Sequence, residues 1–491
     1  MTPSTSTIAS TPAPTFQRLG VRTLINCYGT YTIISGSRAL TQVVEAMVAA
    51  TNYYVNMDEL MDKVGQRLAE LTGAEWGYIT SGGAAALAEV TAACIAGADP
   101  ERMSRLPDAT GMKNEVIIQK RQRNSYDRAI RLVGAQMIEV ITLADLRAAL
   151  SERTAMLAYI GDLEGPGQIP PQEMIAMGHE HGIPTLVDAA AQRPDVPNRY
   201  LQMGADAVVY SGGKCLRGPQ SAGMVLGRKD LLQAAFLNAA PHHGACRPMK
   251  VGKEEIMGLL AAVEAWVLGR DHRAEWAMWE GFLETIRSAI ADIPSVRTEV
   301  QQPGIANVAP MLCISWDEAT LHVSPAQLYQ ELLHGEPPII IHGRADRLMV
   351  MPYMMERGDD VLVARRLREL LTPRPATGEV ATTAAPAVDI SGTWIIHTQY
   401  ILGTSAHSMS LVQEGTRLTG SYRSQYATSE ISGQISGYQV ELHTVIGDPA
   451  NPTHYVYQGA ADGDILSGTV MLGEYSPSEY SKAAWRAQRQ G

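Results

Sequence analysis

Between about residues 20 and 290, short continuous apolar runs alternate with longer stretches of helical period, and this alternation limits the fold more than any other feature of the chain. The expected strands are Trp76–Thr80, Glu115–Gln119, Met137–Ile141, Ala155–Ile160, Thr185–Asp188, Ala207–Ser211 and Met224–Gly227. Between most of them lie amphipathic stretches such as MDELMDKVGQRLAELTG and PQEMIAMGHEHG, with apolar residues spaced three and four apart. A strand that is apolar on both faces must be covered on both. Helices between consecutive strands give that cover, and the result is a mainly parallel α/β sheet. Ligands of such sheets bind at the carboxyl ends of the strands.

Beyond residue 290 the pattern changes. MLCISW, SPAQLYQELL, PPIIIH, RLMVMPY and DDVLVARRLREL predict a small α+β domain over 291–372. Residues 373–388, PRPATGEVATTAAPAV, have no useful period and read as a linker. From 389 to 491, alternating segments broken at Glu-Gly, Ser-Gly and Asp-Gly steps predict a small antiparallel β-barrel. That region shows no catalytic cluster. Residues 1–19 open with a Ser/Thr/Pro-rich stretch lacking Lys or Arg, which reads as a disordered leader and not a signal peptide.

Composition narrows the function. With 40 basic against 51 acidic residues the net charge is −11, which argues against a nucleic-acid partner. The five cysteines are scattered, with no C-x-x-C pair, so reduced thiols in a cytoplasmic protein are expected, without a disulfide framework or a metal site. No apolar run reaches the ~18 residues of a membrane span.

One loop then stands out. SGGKCLRGPQSAG follows the apolar run ending at Tyr210 and places Lys214 between a Gly-Gly pair and a Gly-Pro turn. A solvated lysine needs no such setting; a lysine reaching into a cleft beside a flat ligand does. Two other strand ends agree with it. Trp76–Thr80 runs into Ser81-Gly82-Gly83 and an alanine-rich helix, whose free N–H groups form a phosphate cup, although such turns are common in α/β folds. Thr185–Asp188 ends in an acid placed to pair with a ligand nitrogen, unless it is a helix cap or a surface carboxylate. A cup for a phosphate, a carboxylate for a pyridine nitrogen and an amine for an aldehyde are together what pyridoxal phosphate requires.

The residues also resemble a family. INCYGTYTIISGS, YVNMDELMDKVGQRLAELTGAEWGYITSGGAAAL, NEVIIQKRQRNSYDRAIRLVGAQ, GDLEGPGQIPPQEM, VDAAAQRP, GADAVVYSGGKCLRGPQSAG and RPMKVGKEEIMGLL span about residues 20–372. They resemble the fold-type I pyridoxal phosphate enzymes, in the group containing selenocysteine synthase and D-glucosaminate-6-phosphate ammonia-lyase. The resemblance implies that Lys214 forms the Schiff base and Asp188 pairs with the pyridine nitrogen. Ser81, Gly82, Gly83 and Ser211 would hold the phosphate, and Tyr126 or a neighbour would lie against the ring, unless its loop merely caps the next helix. Arg247, Lys250 and Lys253 form a basic cluster that is either a solvated helix start or, as the resemblance implies, an anion site. Cys215 reads as a nucleophile or, more simply, as a small residue packed in a tight loop.

The chain departs from its relatives where they carry arginines. His342 stands in the strand after Pro-Pro, with Arg344 two residues on, and Tyr353 stands in MPY. Losing a bidentate clamp alters what anion can be held, so these three residues are candidate substrate contacts. The resemblance implies a lyase that removes the Cα proton and eliminates ammonia to leave a 2-keto acid. Racemisation, epimerisation and aldol cleavage are the alternatives open to the same cofactor. Selenocysteine synthesis fits poorly with an acidic chain in which about twenty polar residues precede the core. The resemblance also implies at least a homodimer acting on a small amino-acid-like molecule. Gly29, Ser35, Asn56 and Asp58, in segments that fit no core period, are expected in an arm laid over a neighbour's cleft, or else over their own subunit.

Overall fold

The computed structural model describes residues 15–305, 308–372, 384–448, 451–473 and 481–490. Most of the expected leader, and the linker as far as residue 383, lie outside them. The chain divides into two compact units, one of residues 1–118 with 132–376, the other of residues 119–131 with 377–491.

In the first unit seven described strands form one sheet: β1 (Trp76–Thr80), β2 (Glu115–Gln119), β3 (Gln136–Val140), β4 (Thr154–Ile160), β5 (Thr185–Asp188), β6 (Ala207–Ser211) and β7 (Gly223–Gly227). Their order is β1-β7-β6-β5-β4-β2-β3. β2, β4, β5 and β6 run parallel, while β7 is antiparallel to both neighbours. The mainly parallel sheet is therefore present, with strand ends within about a residue of those expected. β1, β4, β5 and β7 are buried along their whole length, as runs without alternation require.

The covering helices follow from local sequence. Met57–Thr72 starts where the Asn56 side chain accepts from the Asp58 and Glu59 N–H groups, and it stops at Gly73 with φ 76°. Its buried face is Met61, Val64, Leu68 and Leu71, at helical spacing. The alanine-rich helix Gly83–Ala96 is buried nearly all round, and its small side chains let it pack closely under the sheet.

A second sheet of the same unit has the order Ile25–Cys27, Ile339–Gly343, Leu348–Val350, Met311–Ser315, Arg297–Gln301. Ile25–Cys27 pairs parallel with Ile339–Ile341, so the N-terminal arm contributes a strand to the small α+β layer. Helix His272–Ile290 closes the core there with Trp279, Phe282, Leu283 and Ile286.

In the second unit eight described strands from Gly392 to Arg489 form a closed barrel, each antiparallel to the next and the first paired with the last. Alternate residues point inward, and Trp394, Ile396, Tyr422, Tyr457 and Trp485 fill the interior. Segment 119–131 belongs to this unit, where the Arg123 Nη2 atom lies 3.0 Å from Asp448 Oδ2.

Candidate active site

The site lies at the carboxyl ends of β1, β4, β5 and β6. After β1 the chain turns through Ser81 and Gly82, whose φ of 98° suits glycine, into helix Gly83–Ala96. No side chain caps this helix, so its first N–H groups remain available to an anion. Ser81 Oγ donates to the Met249 carbonyl at 3.0 Å, which ties the loop carrying Arg247 and Lys250 to this turn. Arg247 Nε is buried without a hydrogen-bond partner, and Lys250 is exposed. Lys253 is paired instead with Glu254.

Asp188 ends β5, is 6% exposed, and accepts the Ala190 N–H at Oδ1 over 3.0 Å. Burial pushes its pKa up, while that N–H and the charge of Lys214 oppose the shift. Lys214 follows β6 and Ser211 in the loop expected for it. Its side chain has no hydrogen-bond or ion-pair partner among the described residues, while its carbonyl accepts the Arg217 N–H at 2.9 Å. The flanking glycines are needed for packing. A Cβ on Gly212 would meet Leu259 Cδ1 at 2.7 Å and the Ala222 carbonyl at 2.8 Å; one on Gly213 would meet Gln220 Oε1 at 2.5 Å. Cys215 is buried, with Sγ donating to the Gln192 carbonyl, and burial pushes its thiol up to about 11. This supports the packing role for Cys215, since a thiol so protonated at neutral pH is a poor nucleophile.

A further acid stands beside Asp188. Asp162 follows β4, the strand that pairs Ile160 with Asp188. Its Oδ2 accepts the Ala191 N–H at 3.2 Å, and its Oδ1 is buried without a partner. Burial, and then the charge of Asp188, push this carboxyl up to about 7. Sequence reasoning missed it, although the signal used for Asp188, an acid just past an apolar strand, is present one strand earlier.

The remaining candidates are spread more widely. His342 stacks on Tyr28 at 4.0 Å between ring centroids, and burial lowers its pKa. Arg344 is exposed on the loop after Gly343. Tyr353 hydrogen-bonds Thr30 Oγ1 at 2.6 Å. Tyr126 is 57% exposed and belongs to the second unit. Asn56 caps its own helix, and Asp58 lies 3.1 Å from His242 Nε2.

An uncapped glycine-led helix start, a lysine whose side chain has no partner among the described residues, a buried strand-end acid and a half-buried acid beside it with an orphaned oxygen fit a phosphorylated pyridine aldehyde. Together they make a candidate site for a pyridoxal phosphate enzyme. Residues 41–244 match the aminotransferase class-V family. The chain is 33% identical over 373 residues to a 5'-C-glycyluridine monooxygenase-decarboxylase from a Streptomyces species, covering 72% of this chain and 92% of that one. It is 30% identical over 371 residues to the D-glucosaminate-6-phosphate ammonia lyase of Salmonella typhimurium, covering 72% and 97%. A solved structure of D-glucosaminate-6-phosphate ammonia-lyase superposes with a TM-score of 0.65 at 28% identity, over 74% of this chain and 99% of that one. The chain therefore belongs to the fold-type I pyridoxal phosphate enzymes, in the group that contains D-glucosaminate-6-phosphate ammonia lyase, with a β-barrel added at its C-terminal end. Its cofactor is pyridoxal 5'-phosphate.

Proposed function

We propose that the protein is a lyase that takes a small amino acid or amino-sugar acid, removes its Cα proton and eliminates a β-hydroxyl, leaving a 2-keto acid and ammonia. The observation that carries this reading is Lys214, unpaired, within the electrostatic reach of Asp188 and Asp162 at neighbouring strand ends. Similarity to the Salmonella ammonia lyase supports elimination among the reactions such a site can perform.

Ser81, Gly82, Gly83 and Ser211 would hold the cofactor's phosphate, and Asp188 its ring nitrogen. Bound there, pyridoxal phosphate supplies an electron sink for the bond broken at the α-carbon. Lys214 Nζ is the base that takes the α-proton and returns it. Asp188 supplies a fixed negative charge for a ring nitrogen, and its N–H bond from Ala190 holds that carboxylate in place. Burial and the charge of Asp188 hold the Asp162 carboxyl up at about 7, so near neutrality the two strand ends carry less than two full negative charges. The departing hydroxyl leaves with a proton as water. The enamine that remains takes up water and releases ammonia, so the net change is from amino acid to keto acid.

The assembly we propose is a homodimer or larger. Tyr53, Tyr54 and Val55 are 69%, 104% and 47% exposed beside the Asn56 cap, an apolar cluster that a second copy would cover. Five unpaired cysteines favour the cytoplasm.

A second reading rests on the similarity to the Streptomyces protein, whose name denotes oxidative decarboxylation. One experiment separates the two. D- and L-amino acids and amino-sugar acids are screened for keto acid, for Cα deuterium exchange and for oxygen uptake. Keto acid with ammonia and no oxygen uptake supports elimination. Oxygen uptake with release of carbon dioxide supports the second reading, and exchange without keto acid supports racemisation.

A further inference from the structure

Close to the strand-end acids, one tyrosine makes more polar contacts than a space-filling residue needs. Tyr200 is fully buried in the short helix Arg199–Gln202, between β5 and β6. Its oxygen accepts from Gln192 Nε2 at 3.0 Å and from Arg199 Nη2 at 2.9 Å. Arg199 is also paired with Glu164, and its guanidinium lies 4.4 Å from the Tyr200 ring centroid.

Both residues that meet at this bond are anchored. The Asn198 side chain accepts the Tyr200 and Leu201 N–H groups at 3.0 and 3.1 Å, and its Nδ2 donates to the Tyr210 hydroxyl, on β6, at 2.6 Å. Gln192 is buried, and its carbonyl takes the thiol of Cys215, next in the chain to Lys214.

The two side chains converge on the turn that carries Asp162. A Cβ on Gly161 would meet the Tyr200 hydroxyl at 2.5 Å and Gln192 Nε2 at 2.6 Å. Residue 161 is bare, so phenol and amide reach the backbone next to Asp162. There Gln192 favours the charged form of Asp162, as do Lys214 and the Ala191 N–H, against burial and the charge of Asp188. A side-chain amide nitrogen carries two donors, so Gln192 can serve Tyr200 and Asp162 together. Phenylalanine would fill the volume of Tyr200 equally well; what the phenol adds is the acceptor that keeps Gln192 in place.

We propose that Tyr200 is a positioning residue for the reaction: its oxygen holds the Gln192 amide toward Asp162 and thereby sets the charge beside the cofactor ring. The proposal rests on the reading of these strand ends as the cofactor's site. It extends that site to a residue that acts through another.

The test is a pH series on wild type, Tyr200→Phe and Gln192→Met, each also in an Asp162→Asn background. The visible band is followed in the cofactor-loaded proteins and the urea midpoint in the cofactor-free ones. Loss of one hydrogen bond to a carboxylate should move the Asp162 transition upward by roughly one pH unit in either variant. A carboxyl raised further in the fold loses more stability as pH rises, so each variant's midpoint deficit should grow between about pH 6 and about pH 9. Neither effect should survive in the Asp162→Asn background. Either variant suffices if the other fails to fold. A growing deficit beside a band that never shifts would overturn the reading of the cleft, and the proposal with it. A band transition at the wild-type pH, or a deficit equal at every pH as a merely structural role would give, would overturn the proposal alone.

Discussion

Asp188 and Asp162 accept consecutive backbone amides of a single turn: the Ala190 N–H donates to Asp188 at 3.0 Å and the Ala191 N–H to Asp162 at 3.2 Å. The turn fixes both acids at neighbouring strand ends, yet gives each only one backbone donor. Two carboxyls held side by side with so little compensation do not both ionise easily.

That pairing sets a pH dependence. Asp162 is raised to about 7 in the fold, whereas an unfolded aspartate ionises near ~4. Between those values the folded state binds more protons, so this group lowers stability as pH rises, and the loss is complete above the folded value. Asp162→Asn should therefore gain on wild type across this window, by at most ~4 kcal/mol at about 1.4 kcal/mol per unit. Urea midpoints of the cofactor-free proteins at about pH 4.5 and about pH 8 measure the effect. A wild-type-to-variant difference that is the same at both pH values would refute the assignment.

Gly212→Ala should disturb the lysine loop without touching Lys214, because the new methyl meets Leu259 and the Ala222 carbonyl. Overpacking of this kind costs ~1–3 kcal/mol. A lower Tm together with reduced cofactor occupancy is expected. Full occupancy at an unchanged Tm would show that the loop has slack the packing denies.

In the second unit Asp448 lies 3.0 Å from Arg123 and 3.6 Å from Arg131, and both arginines also contact the buried Asp127. Asp448→Ala should loosen segment 119–131, at a cost of ~1–3 kcal/mol for a partly buried pair left incomplete. Hydrogen exchange should rise over 119–131 and stay unchanged over Thr185–Asp188. Equal protection in the variant would show that Asp448 does not hold the segment.

How far the sequence could be read follows from how local each signal is. Lys214, Asp188 and the Ser81–Gly83 turn are each announced by the apolar strand before them. Strand spacing alone therefore places them at one sheet edge. Asp162 carries the same signal, but a single acid after a strand has many ordinary explanations. The contact of Tyr200 with Gln192 gives no local signal, since helix Arg199–Gln202 meets the turn after β5 beside Gly161 only after folding. Two assignments depended on pairing that no period reveals. Ile25–Cys27 joins the small sheet through Ile339–Ile341, and segment 119–131 goes with the barrel. Barrel strands, by contrast, were legible from inward–outward alternation, as in Trp394, Ile396 and Thr398.

The central claim is that Lys214 is the residue to which the cofactor is joined. Borohydride reduction of the wild-type enzyme, followed by proteolysis and mass spectrometry, tests it most directly. The account predicts a pyridoxyl group on the peptide containing Lys214 and none in Lys214→Ala, which should fold but lack the visible cofactor band. A pyridoxyl group on another lysine, or one retained in Lys214→Ala, would contradict it.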